Sequence, residues 1–140
     1  MGGAFGGILQ HTALGLEVRD FASSNELGSL ALLVLAFFAT SAIRIAQGSA
    51  TVAMITSVGI VGGLVSQGFG IHPVYLAMAI GCGAKPIPWM NDSGFWVVGK
   101  LAGLTEKETL KTFSVVIALQ GIVGMCAVLA FAYFFPKFLF

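Results

Sequence analysis

Charge is nearly absent from the middle of this chain. Residues 45–84 are 40 consecutive residues without Asp, Glu, Lys or Arg, whereas about a quarter of the residues in a soluble domain are charged. Over all 140 residues, 9% are charged and 57% are hydrophobic, with a mean hydropathy of +0.95. Such a chain cannot present a normal solvated surface, so its solvent must be lipid. We predict an all-α membrane protein, a single membrane domain (1–140) of about four to six hydrophobic passes.

Cysteine and histidine are also scarce. Cys82 and Cys126 lie in apolar surroundings, and neither CxxC nor Cys/His spacing is present, which argues against metal and redox chemistry. The sequence contains no nucleophile–base set and no phosphate loop, so we predict that it is not an enzyme and needs no cofactor. A net charge of +1 argues against nucleic acid as a partner.

The first seven residues lack the positive charge and the cleavage site of a signal peptide. Their glycines recur at the small-xxx-small spacing that lets membrane helices approach closely. We interpret 1–26 as the end of a preceding helix and a connection. The chain is then expected to be a fragment, with an N-terminal half that is missing or supplied by other subunits.

Two apolar segments that are each too short for a full crossing occupy 27–66. Leu27–Ile43 would give about 25 Å of helix and Val52–Ser66 about 22 Å, against a hydrocarbon thickness of about 30 Å. Between them lies the first polar segment, Arg44–Thr51. This pattern predicts a re-entrant hairpin whose irregular tip lies inside the protein, although two full spans stay possible.

A second interrupted element is predicted at 72–103. A half-length apolar helix begins after His72 and stops at Lys85-Pro86-Ile87-Pro88, and the second polar segment, Asn91-Asp92-Ser93-Gly94, starts another short helix. A half-helix, a broken backbone and a second half-helix are typical of a discontinuous membrane helix in a secondary transporter. The last span is predicted at 105–136, opened by a capping box of Thr105 and Glu108.

The two polar segments are the candidate substrate site. Helix N-termini aimed at the midplane suit a small carboxylate, and hydroxyl and amide groups suit a polyhydroxylated substrate. Asp92, the sole carboxylate between Glu26 and Glu106, is either a proton carrier or a structural N-cap. Arg44 is either an anion contact or an interfacial residue with its charge in water. The candidate substrate ligands are Gln47, Gly48, Ser49, Thr51, Asn91, Asp92 and Ser93.

These segments together resemble the gluconate permease family of proton symporters, in its C-terminal part. The matching segments are Gly3–Gly6, Arg44–Thr56, His72-Pro73, Asn91–Trp96 and Thr109–Thr112. The resemblance implies uptake of gluconate or a related small sugar acid with a proton as the coupling ion. It also implies two inverted repeats with re-entrant hairpins, of which this chain would supply the second half, and a multi-pass location in the bacterial inner membrane.

The sequence departs from the family pattern just before the second polar segment. Lys85, Pro86, Pro88, Trp89 and Met90 stand where an aliphatic approach containing Ser and His is expected. Lys85 could add a carboxylate contact there. The alternative function is a small structural or regulatory membrane protein that assembles through its glycine faces and does not transport.

Overall fold

The computed structural model describes residues 28–65 and 72–135, and helices are the only regular structure in those ranges. The helices are α1 (Ser29–Gln47), α2 (Ala50–Val65), α3 (Pro73–Gly83), α4 (Ser93–Leu101), α5 (Glu106–Thr109) and α6 (Val115–Phe134). A π-helical turn, Leu110–Ser114, joins α5 to α6. Leu30–Gln47 and Glu106–Phe134 are long and apolar enough to cross a membrane, by length and composition. The all-helical membrane class is therefore consistent with the structure.

The break between α1 and α2 is shorter than the first polar segment. Only Gly48 and Ser49 lie outside helix, so α1 continues through Arg44 to Gln47 and α2 begins at Ala50. Arg, Gln and Ala are good helix formers, which explains the extension. Gly48 then ends α1 in the left-handed conformation, with its N–H donating to the Arg44 carbonyl at 2.9 Å.

Helices α1 and α2 fold back on each other around this break. Leu33, near the start of α1, and Val61, near the end of α2, are both fully buried in one hydrophobic cluster. With about 24 Å of helix, α2 falls short of the hydrocarbon thickness of about 30 Å, whereas α1, at about 28 Å, comes close to it. Whether the pair re-enters the membrane from one side stays a prediction.

Helix α3 packs between α1 and the last helix. Its Tyr75 hydroxyl donates to the Phe135 carbonyl at 2.7 Å, while a Cβ on Gly121 would lie 2.9 Å from the Cys82 carbonyl oxygen. The two helices are therefore antiparallel, and Gly121 lets them approach closely. The shared core comprises Leu32, Leu33, Ala36, Phe37, Val61, Tyr75, Leu76, Ala79, Ile80, Met125, Val128 and Ala132.

The outer face of α6 is apolar and uncovered within the described chain. Val123 is 66% exposed and Phe131 is 60% exposed. Lipid or further protein must cover a face of this kind, because large apolar side chains rarely line up in water. This is what a membrane span requires.

Several predicted boundaries agree with the structure. Helix α3 ends at Gly83 just before the Lys85–Pro88 segment, and the Thr105–Glu108 capping box is present, with the Thr105 N–H 2.8 Å from the Glu108 carboxylate. The prediction for 1–26 and the predicted end of the last span at residue 136 lie outside the described residues. The division of the chain into segments is otherwise untested.

Two glycines in α3 give a matched test of how closely it packs on α1. A Cβ on Gly83 would lie 2.5 Å from the Phe37 carbonyl oxygen, whereas one on Gly81 would meet nothing within 4 Å. We expect Gly83→Ala to destabilise the protein by about 1–3 kcal/mol through overpacking. Gly81→Ala should stabilise it by about 0.5–1 kcal/mol, since alanine favours helix. Unfolding midpoints in detergent would measure both, and equal effects would contradict the close α1–α3 contact.

Candidate functional site

The last carbonyl groups of α1 are bonded by side chains from the second break, which we define as residues 84–92. A helix leaves its final four carbonyls without partners inside the helix. The Trp89 indole N–H donates to the Ile45 carbonyl at 3.1 Å. The Asn91 amide donates to the Ile45 carbonyl at 2.8 Å and to that of Ala46 at 3.4 Å. The second break thus completes the end of α1.

The reverse also holds, because side chains of α1 bond the carbonyls at the end of α3. The Ser41 hydroxyl is shared between the Gly83 carbonyl at 3.0 Å and the Phe37 carbonyl of its own helix at 2.9 Å, and the Arg44 Nε donates to the Ala84 carbonyl at 3.1 Å. Each helix therefore supplies hydrogen bonds that the other cannot make for itself. In lipid this exchange matters, since an unsatisfied backbone group costs several kcal/mol there.

Arg44 and Asp92 form an ion pair between the two polar segments, from Nη2 to Oδ2. Arg44 is only 5% exposed, and the Asp92 side chain is 13% exposed. The other oxygen of Asp92 accepts a hydrogen bond from the Gly94 N–H at 2.9 Å and so caps α4. Asp92 is thus the N-cap that the sequence offered as one alternative, and it is paired with the arginine as well.

The two polar segments are in close backbone contact where Gly48 meets Asn91. Gly48 has φ +74°, and a Cβ there would lie 2.3 Å from the Asn91 carbonyl oxygen. Since real Cβ atoms do not approach oxygen so closely, only glycine fits without a shift of one break. The sequence predicted both polar segments but not this contact.

We call the contact of Arg44, Gly48, Asn91 and Asp92 the junction of the two breaks. The remaining candidate ligands lie around it. Ser49 caps α2, accepting from the Val52 N–H at 3.4 Å. Gln47 is half-buried, and its side-chain oxygen is buried without a hydrogen-bond partner among the described residues. Thr51 and Ser93 are exposed in the first turns of their helices.

Lys85 is not part of the junction. Its side chain is exposed and forms no ion pair within the described ranges, unlike Arg44. The predicted anion contact from Lys85 is therefore untested by any contact in the structure.

Two residues at the site are not predicted as members of it. Ser41 bonds a helix end, as described above, and Ser114 in the π-helical turn donates to the Pro88 carbonyl. Ser41 carries a weak signal, because a polar residue one turn before Arg44 lies on the same face of α1. Ser114 carries none, since nothing local relates it to the second break.

The arrangement can bind an anion, provided that the charge of Asp92 is neutralised. Arg44 supplies a guanidinium suited to a carboxylate. The first turns of α2 and α4 add helix N-termini, which favour negative charge. In this structure the guanidinium of Arg44 is paired with the carboxylate of Asp92.

The fold and this site are those of an all-helical protein with paired helix breaks and two helices long and apolar enough to cross a membrane. The model of one family, GntP family permease, matches residues 1–134, and the chain belongs to that family. Permeases are transporters, so the predictions of the family and of a protein that is not an enzyme are confirmed. No solved structure gives a significant match.

Curated relatives carry names that refer to sugar acids. The chain is 35% identical over 125 residues to the low-affinity gluconate transporter of Escherichia coli K12, covering 88% of this chain and 27% of that protein. It is 32% identical over 128 residues to the gluconate permease of Pseudomonas aeruginosa, covering 91% and 28%. It is 33% identical over 129 residues to the Gnt-II system L-idonate transporter of E. coli K12, covering 92% and 28%. The chain thus spans little more than a quarter of the length of these relatives.

Gly48 can be tested against Gly103, because both have positive φ but different surroundings. Gly103 has φ +66°, and a Cβ there would meet nothing within 4 Å. Alanine in the left-handed region costs about 1–2 kcal/mol at either position. Gly48→Ala should lose about 1–3 kcal/mol more, because its Cβ collides with Asn91. Unfolding in detergent measures the difference, and equal losses would show that the two breaks are not in close contact.

Proposed function

We propose that this chain is the substrate-binding part of a proton-coupled symporter for gluconate or a related small sugar acid. The observation that carries the proposal is the junction of Arg44, Asp92, Gly48 and Asn91, which joins two helix breaks in a member of a permease family. Transporters of other families bind substrate where discontinuous helices meet. The names of the relatives support a sugar acid as the substrate.

In this proposal, α1 and α2 form a re-entrant hairpin, and α3 and α4 form a discontinuous helix. Both are parts of the second of two inverted repeats. Their lengths support this, since α3 and α4 give only about 16 Å and 13 Å of helix. The first repeat comes from further chain or from other subunits, which agrees with the quarter of the relatives' length that is matched. The complete assembly spans the bacterial inner membrane several times.

The substrate carboxylate binds at the junction near Arg44 and the N-termini of α2 and α4. Gln47, Ser49, Thr51, Asn91 and Ser93 surround it with hydroxyl and amide groups for the hydroxyls of a sugar acid. The buried oxygen of Gln47, which has no partner among the described residues, would accept from one of these hydroxyls. Asp92 carries the coupled proton, since no other carboxylate lies between Glu26 and Glu106. No metal takes part.

Uptake of labelled gluconate tests the proposal. The protein would be purified from its own membrane, with whatever chain or subunits accompany it, and reconstituted into vesicles with an imposed pH gradient. Asp92→Asn should lower proton-driven uptake by about tenfold or more, because it removes the group that carries the coupled proton. Ser49→Ala should lower it by about tenfold, because it removes a hydrogen-bonding partner worth about 1.5 kcal/mol.

The matched control is Lys100→Gln, at the exposed end of α4, which should leave uptake unchanged. An excess of unlabelled idonate should compete with labelled gluconate, whereas glucose, which lacks the carboxylate, should not. Uptake at the wild-type rate in both Asp92→Asn and Ser49→Ala would exclude the junction as the transport site.

A further inference from the structure

The ion pair at the junction has a consequence for how proton and substrate are coupled, and this inference rests on the proposed function. Arg44 is the charge that a substrate carboxylate needs, yet it is already bonded to Asp92 and to the Ala84 carbonyl. Because Arg44 is only 5% exposed, its guanidinium has little room for a second carboxylate beside the first. The two acids must therefore alternate at one cation.

The net charge of the junction determines what must happen when a substrate carboxylate replaces Asp92 on Arg44. With Arg44 and Asp92 paired, the junction is neutral. Adding a monocarboxylate while Asp92 stays ionised would leave one net negative charge at a buried site, which is strongly unfavourable. Protonating Asp92 alone would leave Arg44 as an unpaired positive charge. Only the arrival of both, one proton on Asp92 and one carboxylate on Arg44, returns the junction to neutrality.

Other charged groups near the junction do not supply a substitute partner. Helix α2 contains no ionisable acid or base between Ala50 and Val65, and α3 contains only Tyr75 and Cys82 as titratable groups. The Tyr75 hydroxyl is bonded at the far end of α3, to the Phe135 carbonyl. Lys85 in the second break and Lys100, two turns along α4 from Asp92, are exposed. The elements that pack against α4, namely α5 and the π-helical turn, carry Glu106, Lys107, Glu108 and Lys111, which are exposed as well. Arg44 is the cation that faces Asp92.

We infer that the Asp92 carboxylate and the substrate carboxylate exchange places on Arg44, with one proton taken up by Asp92 for each monocarboxylate bound. The proton comes from the side on which the substrate enters. It bonds to a carboxylate oxygen of Asp92, and the substrate takes over the bond to the Arg44 guanidinium. The loaded and empty junctions carry the same charge, so transport is electroneutral and is driven by the pH gradient rather than by the membrane potential.

Proton uptake on binding can be counted without any transport. Calorimetric titration of the purified protein with gluconate, in two buffers of different ionisation enthalpy, gives the number of protons bound per carboxylate. One proton is expected for the native protein at neutral pH. A count of zero would overturn the exchange.

Substitution of Asp92 distinguishes the proposed carboxylate exchange from an Arg44–Asp92 ion pair that only stabilises the fold. Asparagine still caps a helix well, so Asp92→Asn keeps the start of α4 and removes only the charge. This variant should bind gluconate at least as tightly as the native protein at neutral pH, with no proton taken up. Arg44→Gln should weaken binding by about tenfold or more, because a charge-assisted hydrogen bond is lost.

A doubly neutral variant covers the case in which an unpaired charge prevents folding. Arg44→Gln with Asp92→Asn leaves no buried ion, and it should fold and bind gluconate as weakly as Arg44→Gln. Lys100→Gln, the charge control, should bind with one proton as the native protein does. Failure of folded Asp92→Asn to bind, or native-like binding by the double variant, would overturn the exchange.

Vesicle measurements distinguish failure of the exchange from failure of the proposed function. Gluconate uptake that responds to a potassium-diffusion potential at zero pH gradient would overturn the exchange and leave the symporter standing. Absence of both gluconate binding and uptake in the native protein would overturn the two together. Uptake driven by the pH gradient and insensitive to the potential supports both.

Discussion

The structure depends on hydrogen bonds to the backbone carbonyls at the ends of its broken helices. Each helix end in lipid leaves carbonyls that the helix cannot bond. This chain meets the requirement by reciprocity: Trp89 and Asn91 bond the end of α1, and Ser41 and Arg44 bond the end of α3. The two breaks are therefore one structural unit, which is why the polar side chains of both converge.

The same exchange of hydrogen bonds explains why the charged side chains of Arg44 and Asp92 lie at the two breaks. A buried arginine is costly unless it is paired, and a buried carboxylate likewise. Arg44 donates to the carbonyl at the end of α3 and is paired with Asp92. The second oxygen of Asp92 accepts from the N–H of Gly94. A structural cap and an ionisable site are combined in one residue. The two alternatives that the sequence left open for Asp92 are therefore not exclusive.

Much of this arrangement could be predicted from the sequence, because its signals are local. The two polar segments, the stop before Pro86 and the capping box at Thr105 all follow from residue types at short spacing. The sequence pattern places the start of the break at Arg44, whereas Arg44–Gln47 are helical, so α1 is longer than predicted. The contact of Gly48 with Asn91 and the bond from Ser114 to Pro88 depend on packing between distant segments. No spacing along the chain reports such contacts.

The exchanged helix caps also constrain how the protein is made. The partner of the Ile45 carbonyl, the indole of Trp89, is synthesised 44 residues after it. During that interval the end of α1 has to remain in contact with water or with the insertion machinery, because bare lipid cannot satisfy its carbonyls. The end of α1 is therefore complete only once the second break has been synthesised and has docked against it.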